Sequence, residues 1–199
     1  MSKTVLISIQ PKWCELIASG RKTIEVRKTK PKIPTPFKCY IYCTKSKNKI
    51  FWQNKLYRYI DDRSHNLFDK SLNGKVIGEF VCDEIHSILQ VGNMNSRQYD
   101  YRIVTGDDTL LNDDVFDFAC ISKKDVNTYL KGQKGYGWHI SNLVIYDKPK
   151  ELSEFKQCHK CPYGDIENCL NHDYSCDGTY KLTRPPQSWC YVERLEGEQ

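Results

Sequence analysis

Lys22, Glu25 and Arg27 fall within six residues of one another in the stretch GRKTIEVRK, Gly20 to Lys28. A lysine offers a point-charge donor or, when neutral, a proton acceptor. An arginine offers a planar fork that grips a carboxylate or a phosphate, and a glutamate accepts from either or from the amino group of a base. Ile24 and Val26 alternate with Thr23, Glu25 and Arg27, the pattern of a strand with one apolar and one polar, charged face. Strict alternation sets Lys22 opposite Glu25, so the lysine joins the group only through local twist or through its place at the turn. The plainer reading is that Glu25 and Arg27 pair with each other or with neighbouring strands and serve the fold alone.

A second constellation lies near the C-terminus. Five of the ten cysteines follow Pro149: Cys158, Cys161, Cys169, Cys176 and Cys190, with His159 and His172 among them. The run CHKC has the C-x2-C spacing that lets two thiolates grip one tetrahedral metal, and Cys169 and Cys176 follow within fifteen residues. The expectation is a structural zinc held by Cys158, Cys161, Cys169 and Cys176, with Cys190 or His172 as substitutes. A second C-x2-C is missing, so an iron–sulfur cluster, a disulfide and unliganded thiols are the competing uses. Cys190 sits in the apolar run SWCYV and reads first as a buried thiol. Cys14, Cys39, Cys43, Cys82 and Cys120 lie among apolar residues and read as core packing.

The elements that must position the first group follow from periodicity. Thr4 to Ile9 reads as a strand. Pro11 opens a helix with Trp13, Leu16 and Ile17 on one face, and Gly20 closes it. KTKPKIPTPFK, with three prolines in six residues, is an extended basic loop. Phe37 to Thr44 and GKVIGEFVCDEI are strands, and residues 45–73 read as an irregular insertion in which only KLYRYI has a strand pattern. Asp107 to Asp117 reads as an acidic loop and turn. SKKDVNTYLKG is a helix capped by Ser122 and Asp125, with Val126, Tyr129 and Leu130 at helical spacing and Gly132 at its stop. GYGWHISNLVIYD is a glycine-rich turn feeding a last core strand. In that strand Trp138 and His139 point to opposite faces; Trp138 is the candidate for stacking on a base or for the core, and Tyr136 is a further candidate.

The order of segments resembles that of the ASCH domain family, within the PUA-like superfamily. Gly20 to Arg27 is similar to its G-x-K-x-x-E-x-R signature, and ISIQPKWCELIASG, GKVIGEFVCDEI and GYGWHISNLVIYD stand in matching order across residues 4 to 147. The resemblance implies an α+β fold: a small PUA-like β-barrel with flanking helices, and a cleft for RNA or a nucleobase between the first helix and the barrel. On this reading residues 1–150 form the ASCH domain and residues 151–199 a Cys-rich, zinc-knuckle-like appendage. Some ASCH-like proteins are N4-acetylcytidine amidohydrolases that use a lysine, a threonine and a glutamate. Lys22 corresponds to the lysine, but Glu25 stands where they carry threonine, and their glutamate has no clear counterpart here.

Charge is segregated along the chain. Residues 1–60 hold 14 Lys/Arg against 2 acidic residues, residues 61–120 hold 5 against 12, and the rest is balanced. A basic N-terminal third interleaved with aromatic residues suits a polyanion whose bases can stack. With 39% hydrophobic and 28% charged residues the chain is globular rather than disordered, and it has no apolar run of membrane-spanning length. The expectation is a cytoplasmic protein, not a membrane protein, that binds RNA or a modified nucleobase through Lys22, Thr23, Glu25 and Arg27. Lys28, Lys30, Lys32 and Trp138 assist, and the appendage is open to a protein partner. The alternative is a small hydrolase of a modified nucleoside or of RNA, with Lys22 and Glu25 as its catalytic pair.

Overall fold

A computed structural model describes residues 3–47, 49–53, 56–60, 72–91, 100–104, 114–158 and 179–195. The strands are β1 (Lys3–Ile9), β2 (Ile24–Arg27), β3 (Phe37–Cys43), β4 (Lys49–Gln53), β5 (Leu56–Ile60), β6 (Val76–Cys82), β7 (Ile85–Val91), β8 (Asp100–Val104), β9 (Gly135–His139), β10 (Ser141–Lys150), β11 (Lys156–Cys158), β12 (Thr179–Lys181) and β13 (Trp189–Glu193). The helices are α1 (Pro11–Ala18), α2 (Asp114–Phe118) and α3 (Lys123–Leu130). No helix among the described residues is long and apolar enough to cross a membrane.

The strands form three sheets: seven strands in the order β10-β6-β3-β1-β13-β11-β12, four in the order β2-β9-β7-β8, and the pair β4-β5. This corrects the expected closed barrel, for the sheets are open. The seven-stranded sheet ends at β10 and β12 and the four-stranded sheet at β2 and β8, and among the described residues no pairing joins the ends of either sheet. Within the larger sheet β1 lies between β3, in parallel pairing, and β13, in antiparallel pairing, while β2 pairs with β9.

The chain divides into two units. One comprises Met1–Cys14, Lys38–Glu79 and Val144–Gln199, the other Glu15–Phe37 and Phe80–Leu143. The first unit packs Leu6, Tyr40, Tyr42, Val76, Leu152, Phe155, Leu182, Cys190 and Val192 into one core. On its sheet Lys38 meets Glu79 at 2.6 Å, and the Tyr146 hydroxyl donates to the same carboxylate at 2.5 Å. The C-terminal boundary differs from the expectation. β13 lies beside β1 in the middle of the large sheet and β11 and β12 extend it, so residues 156–158 and 179–193 belong to the main fold rather than to an appendage. Alternation in SWCYV was the signal for this, with Cys190 and Val192 on the core side.

The second unit is built on the four-stranded sheet. Ile24, Val26, Ile88, Tyr101, Ile103, Phe116, Ala119, Val126 and Leu130 form its core. Ser122 caps α3 by accepting from the Asp125 N–H at 3.1 Å, and Lys131 closes it in the left-handed conformation. Gly135 lets α3 sit against β9, because a Cβ there would come within 2.8 Å of the Leu130 side chain.

Candidate functional site

The stretch that opened the sequence reading forms the edge of this second unit. Gly20 ends α1 at φ 73°, a left-handed conformation that glycine adopts without steric cost. The next residues then cap α2, whose last carbonyls have no partner within their own helix. The Thr23 N–H donates to Phe118 O at 2.9 Å, and the Lys22 ammonium donates to Ala119 O at 2.7 Å.

Lys22 also serves the open edge of β2. The Ile140 N–H donates to Thr23 O, which makes Ile24 and His139 a non-hydrogen-bonded pair and turns the Ile24 carbonyl away from β9. The Lys22 ammonium reaches that carbonyl at 2.7 Å and Glu25 Oε2 at 3.3 Å. The lysine precedes the strand, so alternation does not constrain it, and its place at the turn resolves how it meets Glu25. Glu25 Oε1 in turn lies 2.9 Å from Arg27 Nη2.

These three side chains are buried, Lys22 being 3% exposed, Glu25 5% and Arg27 7%. The charged face expected on β2 is thus present but sealed from bulk water. Glu25 and Arg27 share that face with Trp138 and Tyr136, their partners in the antiparallel register with β9. Glu25 thus contacts both cations, in surroundings where desolvation makes charge costly and electrostatic attraction strong.

Of the other candidates, Lys28, Lys30 and Lys32 are exposed on the segment that leaves β2. Thr23 holds its place through its backbone bonds to Phe118 and Ile140. Trp138 is corrected: it is 0% exposed and packs edge-on against Phe37, with ring centroids 5.8 Å apart, so it is a core residue and not a stacking surface. Two residues the sequence reading passed over stand beside the site. Tyr129, assigned to the buried face of its helix, is 38% exposed with the Lys28 ammonium 5.2 Å from its ring centroid. Burial raises its phenol, which also bonds the Lys28 backbone. Lys134 lies over Tyr136 at 5.4 Å, as Lys30 does at 5.5 Å. Tyr129 and Lys134 are a hundred residues from Lys28 and Lys30, and no local pattern links them.

A further polar group gathers where β6 turns into β7. His139 Nδ1 lies 2.7 Å from Asp83 Oδ1, and His86 Nδ1 lies 3.2 Å from Glu84 Oε1. Burial lowers His86, and the neighbouring His139 adds to that effect against the carboxylate of Glu84. Burial pushes the Cys82 thiol up to about 12, helped by Asp83, so it is not a nucleophilic thiolate at neutral pH.

The metal expectation falls largely outside the described residues. Cys161, Cys169, Cys176 and His172 are all there, and Cys158 is described only by its backbone at the end of β11. Cys190 packs in the core of the first unit. Among the described residues no group of three or more His, Cys, Asp or Glu could hold a metal.

The chain is similar to the crystal structure of ASCH from Zymomonas mobilis, with 16% identity, 90% of this chain and 87% of that chain covered, and a TM-score of 0.45. A tyrosine-to-phenylalanine variant of that protein aligns at 15% identity over 91% of each chain with a TM-score of 0.46. A serine-to-alanine variant aligns at 16% identity over 90% and 87%, with a TM-score of 0.45. A search of curated proteins finds no match. The family model of the ASCH domain matches residues 7–171, most of the chain and past the boundary expected at 150, and the chain therefore belongs to the ASCH domain family.

Proposed function

We propose that this chain is a reader of RNA or of a modified nucleobase, with its ligand recognised around Lys22, Glu25 and Arg27 and its phosphates met by Lys28, Lys30 and Lys32. The observation that carries this reading is the buried cluster of two cations and one carboxylate, continuous in sequence with an exposed run of lysines. A guanidinium and an ammonium set around one carboxylate offer donors and an acceptor to a phosphate or to the edge of a base, and exposed lysines add the salt-sensitive attraction that nucleic acids provide. Membership of the ASCH family agrees with a nucleic-acid or nucleoside ligand.

Recognition is favoured over hydrolysis by the surroundings of Lys22. Its ammonium donates to two carbonyls at 2.7 Å and lies 3.3 Å from a carboxylate, so it serves the fold as a donor rather than standing open to a substrate as a base. The test is incubation of the purified protein with acylated nucleosides and short RNAs, read by mass spectrometry. Ligand retained unchanged is the expected result; accumulation of a deacylated or cleaved product assigns the site to a hydrolase instead.

The same reading includes one structural zinc per chain, held by Cys158, Cys161, Cys169 and Cys176. Its support is their spacing together with the place of Cys158 at the end of β11, where it is the backbone partner of Thr179. Elemental analysis of protein purified without added metal should find about one zinc per chain, and its absence removes this part of the reading.

A further inference from the structure

We propose that Tyr129 and Tyr136 are base-stacking platforms and that the partner is single-stranded RNA, not a duplex. This rests on the nucleic-acid reading above and adds to it which residues read the bases. The two rings bracket one dipeptide. Tyr136 is the backbone partner of Arg27, and Tyr129 bonds the backbone of Lys28. Both rings reach solvent, Tyr129 as an exposed residue and Tyr136 as a half-buried one. Each carries ammonium groups over its face at the end of long, exposed lysine side chains, Lys28 at 5.2 Å from the first ring centroid and Lys30 and Lys134 at 5.5 and 5.4 Å from the second. Among the described residues none of these three lysines has a carboxylate within ion-pair distance.

An aromatic ring under a cation matches the two halves of a nucleotide, the base taking the ring face as the long lysine side chain swings off it and the phosphate taking the ammonium. A duplex keeps its bases stacked on each other and offers a protein only its phosphates and groove edges, so the rings would find no surface there. Trp138, on the same face of β9 as Tyr136, cannot serve because it is enclosed.

The experiment compares three probes of equal phosphate count: a single-stranded oligoadenylate, its abasic analogue, and an RNA duplex. The wild type should bind the oligoadenylate about ten-fold or more tighter than the abasic strand. Tyr136→Leu and Tyr129→Leu should each remove most of that preference and leave abasic binding unchanged, while Tyr136→Phe keeps it. Equal binding of the base-bearing and abasic strands, or a preference that survives both leucine variants, overturns the proposal while phosphate recognition stands. An equal loss on both probes in Tyr136→Leu assigns the ring to positioning the lysines and also overturns stacking. Failure of the wild type to bind any of the three overturns the nucleic-acid reading together with this one.

Discussion

Replacing Glu25 with glutamine is expected to lower the stability of the folded protein by about 3–5 kcal/mol, the range for breaking a buried ion pair by removing one partner. The side chain keeps its shape, so the loss comes from charge. Glu25 is the carboxylate shared by Lys22 at 3.3 Å and Arg27 at 2.9 Å, and without its charge both buried cations lose this ion-pair partner. Lys22→Met should cost a comparable amount by a different route. It deprives Ile24 O and Ala119 O of their shared donor, at about 1–3 kcal/mol for each buried group left unsatisfied, yet it leaves Glu25 and Arg27 as a neutral pair. Urea unfolding of the three proteins with a common slope gives the comparison. A loss near zero for Glu25→Gln would mean that water reaches the cluster and that its charges are not sealed as described.

Much of the geometry around this cluster was legible in the residues. The alternation of Ile24 and Val26 placed a strand with a charged face, and Ser122 with Asp125 marked the start of the helix that covers its other side. Burial of the charged face was not legible. A sequence shows that Glu25 and Arg27 carry charge, but not that they neutralise each other under Trp138 on a strand a hundred residues away. The same gap left Trp138 open between stacking and the core, because its neighbour Phe37 comes from the far end of the proline loop.

The closed barrel was implied by the resemblance in the order of segments, and that order does not say which strands pair. β13 occupies the second edge of β1, a pairing between residues more than 180 apart in the chain. Cysteine spacing likewise drew attention to residues 151–199 as a separate piece, while the apolar alternation on both sides of the cysteines belonged to the main sheet. Local chemistry was readable wherever one segment supplied all of it, as at Gly20, which closes α1, and Ser122, which caps α3. It was unreadable where two distant segments meet, as Lys28 and Lys30 meet Tyr129 and Tyr136.

The central claim is that the exposed lysines beside the buried cluster receive the phosphates of a single-stranded RNA. The most direct measurement is its equilibrium binding constant over a range of salt concentrations, for the wild type and for a triple variant with Lys28, Lys30 and Lys134 changed to alanine. Each phosphate neutralised on a single strand contributes about 0.7 to the slope of log affinity against log salt, so three lost contacts should make the slope shallower by about 2. The three lysines are exposed and lack carboxylate partners among the described residues, so the fold should be unaffected. A slope shallower by about 2, with weaker binding at every salt concentration, is the result this account predicts. An unchanged slope would place the phosphates on another surface and contradict it.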